Sequence, residues 1–177
     1  MTYDTDKIRS GIIEEYEKFF ASIKDAELKY LEIGVFKGGS LLWAKDFFPK
    51  GKIYGIDLVP LELKDIVIEI VDQQDSDGLK KFSEEYGKFD IIVDDGCHRV
   101  PETKNAFESL WPYLNVGGIY VIEDWAACFL PNEKFLGMDK LVTDIASRKD
   151  VIRTDIVRKN YSGSMAFFRK GKDVSNI

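Results

Sequence analysis

Five short apolar runs, each with a carboxylate at or beside its end, constrain this chain more than any other feature. They are Lys29–Ile33, Lys52–Asp57, Ile66–Val71, Phe89–Asp94 and Gly118–Glu123. Between most of them lie stretches with apolar residues at helical spacing. Alternation of this kind reads as α/β with a mostly parallel sheet. A first helix is predicted over Asp6–Ile23, with Ile8, Ile12, Tyr16, Phe19 and Phe20 on its apolar face. Others are expected over Leu41–Phe48 (stopped by Pro49 and Gly51), Asp77–Tyr86, from Pro101 to Trp111, and over Asn132–Arg148. Ile66–Val71 is apolar enough for a strand covered on both faces. Val151–Arg158 and Met165–Arg169, split by Asn160–Gly163, read as a closing hairpin. The expected fold is a Rossmann-like, mostly parallel seven-stranded sheet with a C-terminal antiparallel hairpin and helices on both faces. With no repeat, linker or low-complexity segment, residues 1–177 read as a single domain.

The acids Glu32, Asp57, Asp72, Asp94, Asp95, Glu123 and Asp124 fall at or just past the predicted strand ends. Carboxylates are poor strand formers, and that edge is where open α/β sheets bind ligands. The plainer reading is that each acid caps the helix that follows. The turn after the first strand reads E-x-G-x-x-x-G-G-S, from Glu32 through Gly34, Lys37 and Gly38 to Ser40. Gly34 permits a tight turn, and the later glycines let backbone amides approach a ligand. A dinucleotide fold prefers G-x-G-x-x-G here. An acid before the turn would repel a pyrophosphate but suits a cofactor with an ammonium group, whose carboxylate the helix amides and Ser40 could hold. Asp57 is placed to accept ribose hydroxyls. In Asp72-Gln-Gln-Asp75, after the third run, Gln73 could meet an adenine edge, or these residues could simply start a helix.

Two strands end in paired acids, at Asp94-Asp95 and Glu123-Asp124. If these strands are neighbours, Asp95, Glu123 and Asp124 converge. Close carboxylates repel unless a cation neutralises them, and oxygen ligands in that number suit Mg²⁺ or another divalent cation. The only histidine in the chain, His98, lies three residues past Asp95 across a glycine turn. Its ring can face the same cleft and take a proton from a hydroxyl as general base. A lone histidine is otherwise a surface or packed residue.

These stretches resemble the metal-dependent class I methyltransferases that O-methylate sugars on macrolides and related natural products, the mycinamicin and tylosin type, and more distantly proteins labelled cephalosporin hydroxylase. The likeness runs from Tyr30 to about Trp125, and the 28-residue spacing from Asp95 to Glu123 is family-like. The resemblance implies S-adenosylmethionine as cofactor. It implies Asp95, Glu123 and Asp124 as Mg²⁺ ligands and His98 as proton acceptor. Asp57 would bind ribose and the Glu32–Ser40 turn the methionine part, with Asp72, Gln73, Asp94 and Asp95 also beside the cofactor. Cys97 stands where the family often has serine. Residues 1–177 are not expected to include the extra N-terminal region that shapes the pocket of the macrolide enzymes, so the first helix and Asp124–Arg148 would build the lid, and Trp125, Phe129 and Phe135 could wall the acceptor side. They could equally be core, Phe135 above all.

A formal net charge of -6 argues against a general nucleic-acid surface. No apolar run approaches the roughly 20 residues of a membrane span, and residues 1–10 hold no signal-peptide core. Two cysteines, Cys97 and Cys128, fit a reducing cytoplasm. The expected activity is Mg-assisted O-methylation of a sugar or polyol hydroxyl, the partner being a saccharide or glycosylated metabolite. Alternatives are a catechol-like acceptor and a non-catalytic cofactor-binding subunit. An oxidoreductase is disfavoured by the glycine spacing, and one histidine cannot build a two-His-one-carboxylate iron site. A small domain with an open cleft could complete its pocket as a homo-oligomer.

Overall fold

The computed structural model describes residues 3–172. Seven strands form one sheet: β1 Lys29–Ile33, β2 Lys52–Asp57, β3 Val67–Ile70, β4 Phe89–Asp94, β5 Leu114–Glu123, β6 Val151–Arg158 and β7 Ser164–Lys170. Their order is β3-β2-β1-β4-β5-β7-β6. β1 to β5 pair in parallel, while β7 lies antiparallel between β5 and β6. The helices are α1 Lys7–Ser10, α2 Ile12–Phe20, α3 Gly39–Phe47, α4 Ser76–Tyr86, α5 Val100–Leu110 and α6 Met138–Ala146. The expected fold, hairpin included, is the observed one. Among the described residues no helix is long and apolar enough to cross a membrane.

Strand alternation builds a core on each face of the sheet. Leu31, Ile33, Ile56, Ile92, Tyr120 and Ile122 meet α4, α5 and α6 on one side. Tyr30, Ile53, Ile91, Val93, Val121 and Phe167 meet α2 and α3 on the other. Local chemistry sets the helix ends. Asp75 caps α4 by accepting from the amides of Asp77 (3.2 Å) and Gly78 (3.0 Å). Pro101, in the first turn of α5, loses no hydrogen bond there.

Three expectations are corrected. The helix predicted over Asn132–Arg148 starts only at Met138, after Gly137 at φ 88°, and ends at Ala146. The helix predicted from Asp6 to Ile23 is broken at Gly11, which sits at φ 77° and splits α1 from α2. The break rotates α1, so Ile8 is half exposed and Lys7 points inward. Ile66–Val71 is no doubly covered strand either. β3 is the sheet edge, pairing only with β2, and this leaves Val67 and Ile70 in solvent.

Candidate active site

Pairing register positions the site. Ile33 lies beside Asp94, and Asp94 beside Ile122, so one residue further on Gly34, Asp95 and Glu123 stand side by side. β1 leads out to β2 and β4 to β5, which makes the β1/β4 crevice the switch point where α/β folds bind ligands. A cleft of about 620 Å³ opens there, lined by Gly34, Phe36 and Lys37, by Asp57, Leu58 and Val59, and by Asp72, Gln73, Asp95 and Gly96. Gly34 is required at its floor: it sits at φ +84°, and a Cβ there would lie 2.2 Å from the Asp95 carbonyl oxygen.

The same alternation separates residues that are adjacent in sequence. Asp94 shares the face of Ile92 and points into the α4/α5 side, buried and clear of the cleft lining. It accepts from Gln73 Nε2 (2.7 Å) and the Tyr120 hydroxyl (3.2 Å), and burial pushes its carboxyl up to about 7. Gln73 in turn accepts the Cys97 amide on Oε1 (3.2 Å) and so ties the β3 loop to the β4 loop. Gln73 is a buried strut whose residue also lines the cleft, and within the same Asp72–Asp75 stretch it is Asp75 that starts the helix. Asp72 is exposed and accepts the Gln74 amide (2.8 Å).

Asp57 pins the glycine turn. Its Oδ2 accepts the amides of Val35 (2.7 Å) and Phe36 (2.9 Å), and Oδ1 that of Val59 (3.1 Å). Lys37 and Gly38 follow in the turn, Lys37 exposed and paired with Asp4 (3.1 Å). Glu32 and Ser40, expected at the cofactor, are buried and do not line the cleft. Ser40 donates to Glu32 (2.6 Å), as does Tyr30 (3.1 Å). Glu32 faces the α2/α3 side because it shares the parity of Tyr30.

On that face the acids converge with a residue that sequence reasoning passed over. Lys7, 3 % exposed, places Nζ 3.0 Å from Glu32, 2.9 Å from Asp95 and 2.5 Å from Glu123. Tyr16 also donates to Glu123 (2.6 Å). Burial works against the Lys7 charge, but the Asp95, Glu123 and Glu32 carboxylates outweigh it and hold the ammonium well above its usual range. No sequence signal marks Lys7. Only the kink at Gly11 turns it inward, and lysines near a chain start are common on surfaces.

On the outer side of this knot, sharing Asp95 with it, lie His98 and Asp124, and the ligand atoms of Asp95, His98 and Asp124 fall within 4.8 Å of one another. His98 Nε2 is 3.7 Å from Asp95 Oδ1 and 4.0 Å from Asp124 Oδ2. Glu123 is the third expected acid, and its Oε1 is turned inward onto Lys7 and Tyr16. Burial lifts Asp95 and Asp124 to about 7 and Glu123 to about 8, with neighbouring acids adding to each. Asp124 Oδ1 is buried without a hydrogen-bond partner. Burial, then the nearby Lys7 ammonium, lowers the His98 imidazole below its ordinary value. His98 (φ 55°) and Asp124 (φ 54°) both hold the left-handed conformation. Non-glycine residues adopt it rarely, and such strain clusters at functional sites. Of the aromatics expected to wall the acceptor side, Trp125 is core, Phe129 is exposed beneath Arg158, and Phe135 is half-buried.

Strand order, switch-point cleft and strand-end acids together define a Rossmann-like methyltransferase fold. The methyltransferase-domain family model matches residues 31–125, and the chain belongs to that family. It is 36% identical over 126 residues to mycinamicin VI 2''-O-methyltransferase of Micromonospora griseorubida, a match covering 66% of this chain and 32% of that protein. It is 34% identical over 126 residues to 8-demethyl-8-alpha-L-rhamnosyl tetracenomycin-C 2'-O-methyltransferase of Streptomyces olivaceus, covering 66% and 33%. The chain thus spans about a third of the length of these relatives. Among solved structures, MycE methyltransferase from the mycinamycin biosynthetic pathway, in complex with Mg, SAH and mycinamycin VI, superposes with a TM-score of 0.77 at 29% identity. That likeness covers 93% of this chain and 50% of MycE.

Proposed function

We propose that this chain is an S-adenosylmethionine-dependent O-methyltransferase that acts, with a divalent cation such as Mg²⁺, on a hydroxyl of a saccharide or glycosylated metabolite. The observation that carries the reading is the meeting of Asp95, His98 and Asp124 beside the switch-point cleft. The names and bound groups of the relatives support the cofactor, the metal and a glycosylated acceptor.

The residues fit both groups. The cleft is within the range of about 300–1,000 Å³ usual for ligand pockets, and the acids of its inner end carry more negative charge than Lys7 balances. The orphaned Asp124 Oδ1 and the strand-end carboxylates are the hard oxygen donors that Mg²⁺ takes. Asp95 and Asp124 would hold the ion, with Glu123 as third carboxylate. When bound it supplies Lewis acidity toward an acceptor hydroxyl, and S-adenosylmethionine supplies the methyl group.

The chain's own residues do the rest. The glycine turn, held by Asp57, shapes the cofactor floor. Phe36, Leu58 and Val59 give it an exposed apolar rim. His98, 3.7 Å from Asp95 and 4.0 Å from Asp124, would take the acceptor's proton. Positioning of hydroxyl and methyl supplies most of the rate gain.

Calorimetry with S-adenosylmethionine and with NAD, each with and without Mg²⁺, tests the cofactor. Tight NAD binding without S-adenosylmethionine binding would overturn the proposal. The base is tested by His98→Ala, assayed for methyl transfer to a panel of rhamnosides. Cofactor affinity should persist while turnover falls by about 10²–10⁴-fold. Unchanged turnover would remove His98 from the mechanism.

A further inference from the structure

Lys7 is built into the site from both ends of its helix. At the N-terminal end Tyr3 donates to Asp46 (2.8 Å), and the Asp4 backbone lies so close to Gly39 that a Cβ there would meet its oxygen at 2.3 Å. At the C-terminal end Lys159 donates to the Gly11 carbonyl (3.1 Å). Clamped this way, the Lys7 side chain has one direction to take, into three carboxylates from three different strands. A buried lysine is tolerated only when paired, and here it is paired three times over.

Which oxygens it uses is informative. Lys7 takes Asp95 on Oδ2 and leaves Oδ1 facing His98. On Glu123 it takes Oε1, the oxygen that Tyr16 also occupies. Asp124 it does not reach, and Asp124 Oδ1 stays unpartnered. Three carboxylates therefore surround one ammonium, and the outer pair, Asp95 (shared with Lys7) and Asp124, is left for a second cation. In carboxylate-bridged two-metal sites the ions lie about 3.5–4 Å apart. Asp95 stands in the bridging place here, one oxygen toward Lys7 and the other toward the outer position.

We propose that Lys7 is a positioning residue that takes the inner cation place of a carboxylate-bridged two-cation site, so that one divalent ion binds beside it rather than in its stead. This rests on the metal reading above. Lys7 holds Asp95 and Glu123 against their mutual repulsion and sets how many metal ions the site accepts.

The test uses the full chain with ¹⁵N-labelled lysine, following the Lys7 ammonium by NMR, with Lys7→Arg to assign it. A slowly exchanging Lys7 signal should be present in metal-free protein and should persist, shifted, at saturating Mg²⁺. Loss of the signal on Mg²⁺ addition would mean displacement and would overturn the proposal, as would its absence beforehand. Mn²⁺ calorimetry with electron paramagnetic resonance then counts ions. Wild type and Lys7→Arg should bind one Mn²⁺ per chain, and Lys7→Met two, with spin coupling between them. A stoichiometry of one in a folded Lys7→Met would overturn it. Should that variant not fold, the wild-type NMR experiment still decides. Wild-type protein that binds neither Mg²⁺ nor Mn²⁺ overturns the metal reading itself, whereas binding with Lys7 released overturns this inference alone.

Discussion

Gly34→Ala probes the joint between the glycine turn and the acid cluster, and Gly117→Ala is its internal control. Both glycines hold the left-handed conformation, at φ +84° and +87°. Forcing a Cβ there costs about 1–2 kcal/mol, and the reduced freedom of the unfolded chain returns about 0.4–1 kcal/mol. At Gly117 nothing lies within 4 Å, so those two effects are the whole account. At Gly34 the Cβ would meet the Asp95 carbonyl oxygen at 2.2 Å and its carbon at 2.8 Å, both backbone atoms with no rotamer to escape into. Opening that contact stretches the bond from the Asp95 amide to the Ile33 carbonyl (3.0 Å). Overpacking of this kind costs a further ~1–3 kcal/mol. Urea denaturation of both variants at matched m-values should therefore place Gly34→Ala ~1–3 kcal/mol below Gly117→Ala. Because Asp95 moves with its carbonyl, calorimetry should also show weaker S-adenosylhomocysteine binding in Gly34→Ala only. Equal stabilities within ~0.5 kcal/mol would refute the close approach of turn and β4.

Tyr16→Phe removes one buried hydrogen bond to Glu123 without changing volume. Thermal unfolding should report a loss of ~1.5–3 kcal/mol, and an unchanged midpoint would deny that the bond contributes. Asp57→Ala frees three turn amides, and titration calorimetry should show cofactor affinity falling by roughly tenfold or more. Asp150 accepts from Arg148 Nε (3.0 Å) and Trp111 Nε1 (2.7 Å). Burial opposes its charge, yet these bonds win and hold its carboxyl below the usual value. A depressed folded pKa means the stability is present above the unfolded pKa and is lost as pH falls through the folded one. Asp150→Asn should accordingly cost ~1–2 kcal/mol at pH 7. The gap to wild type should start to narrow as pH drops below about 4 and close only below the depressed folded value, and a gap independent of pH would exclude the charge as its source.

β1, β2 and β4 begin and end where their apolar runs do, because a strand buried on both faces admits little else. The turn after β1 was legible for a related reason, since a chain reversing that tightly needs glycine. Other features depended on neighbours far away in sequence. β3 reads as an interior strand until the sheet order leaves it at the edge. Asp94 and Asp95 look like one pair, and alternation along β4 could have separated them. What each then meets, Gln73 and Tyr120 or Lys7, is a matter of tertiary packing.

By itself the sequence determined the α/β alternation, the glycine turn and the placing of acids at the carboxyl edge, all consequences of short-range periodicity and backbone sterics. Only the tertiary structure decided how those acids divide between an inner knot and an outer cluster. The division depends on the kink at Gly11, which turns Lys7 into the interior, and on the register that sets Gly34, Asp95 and Glu123 side by side. The energy of a buried charge is set by partners more than twenty residues away, and local sequence carries no record of them.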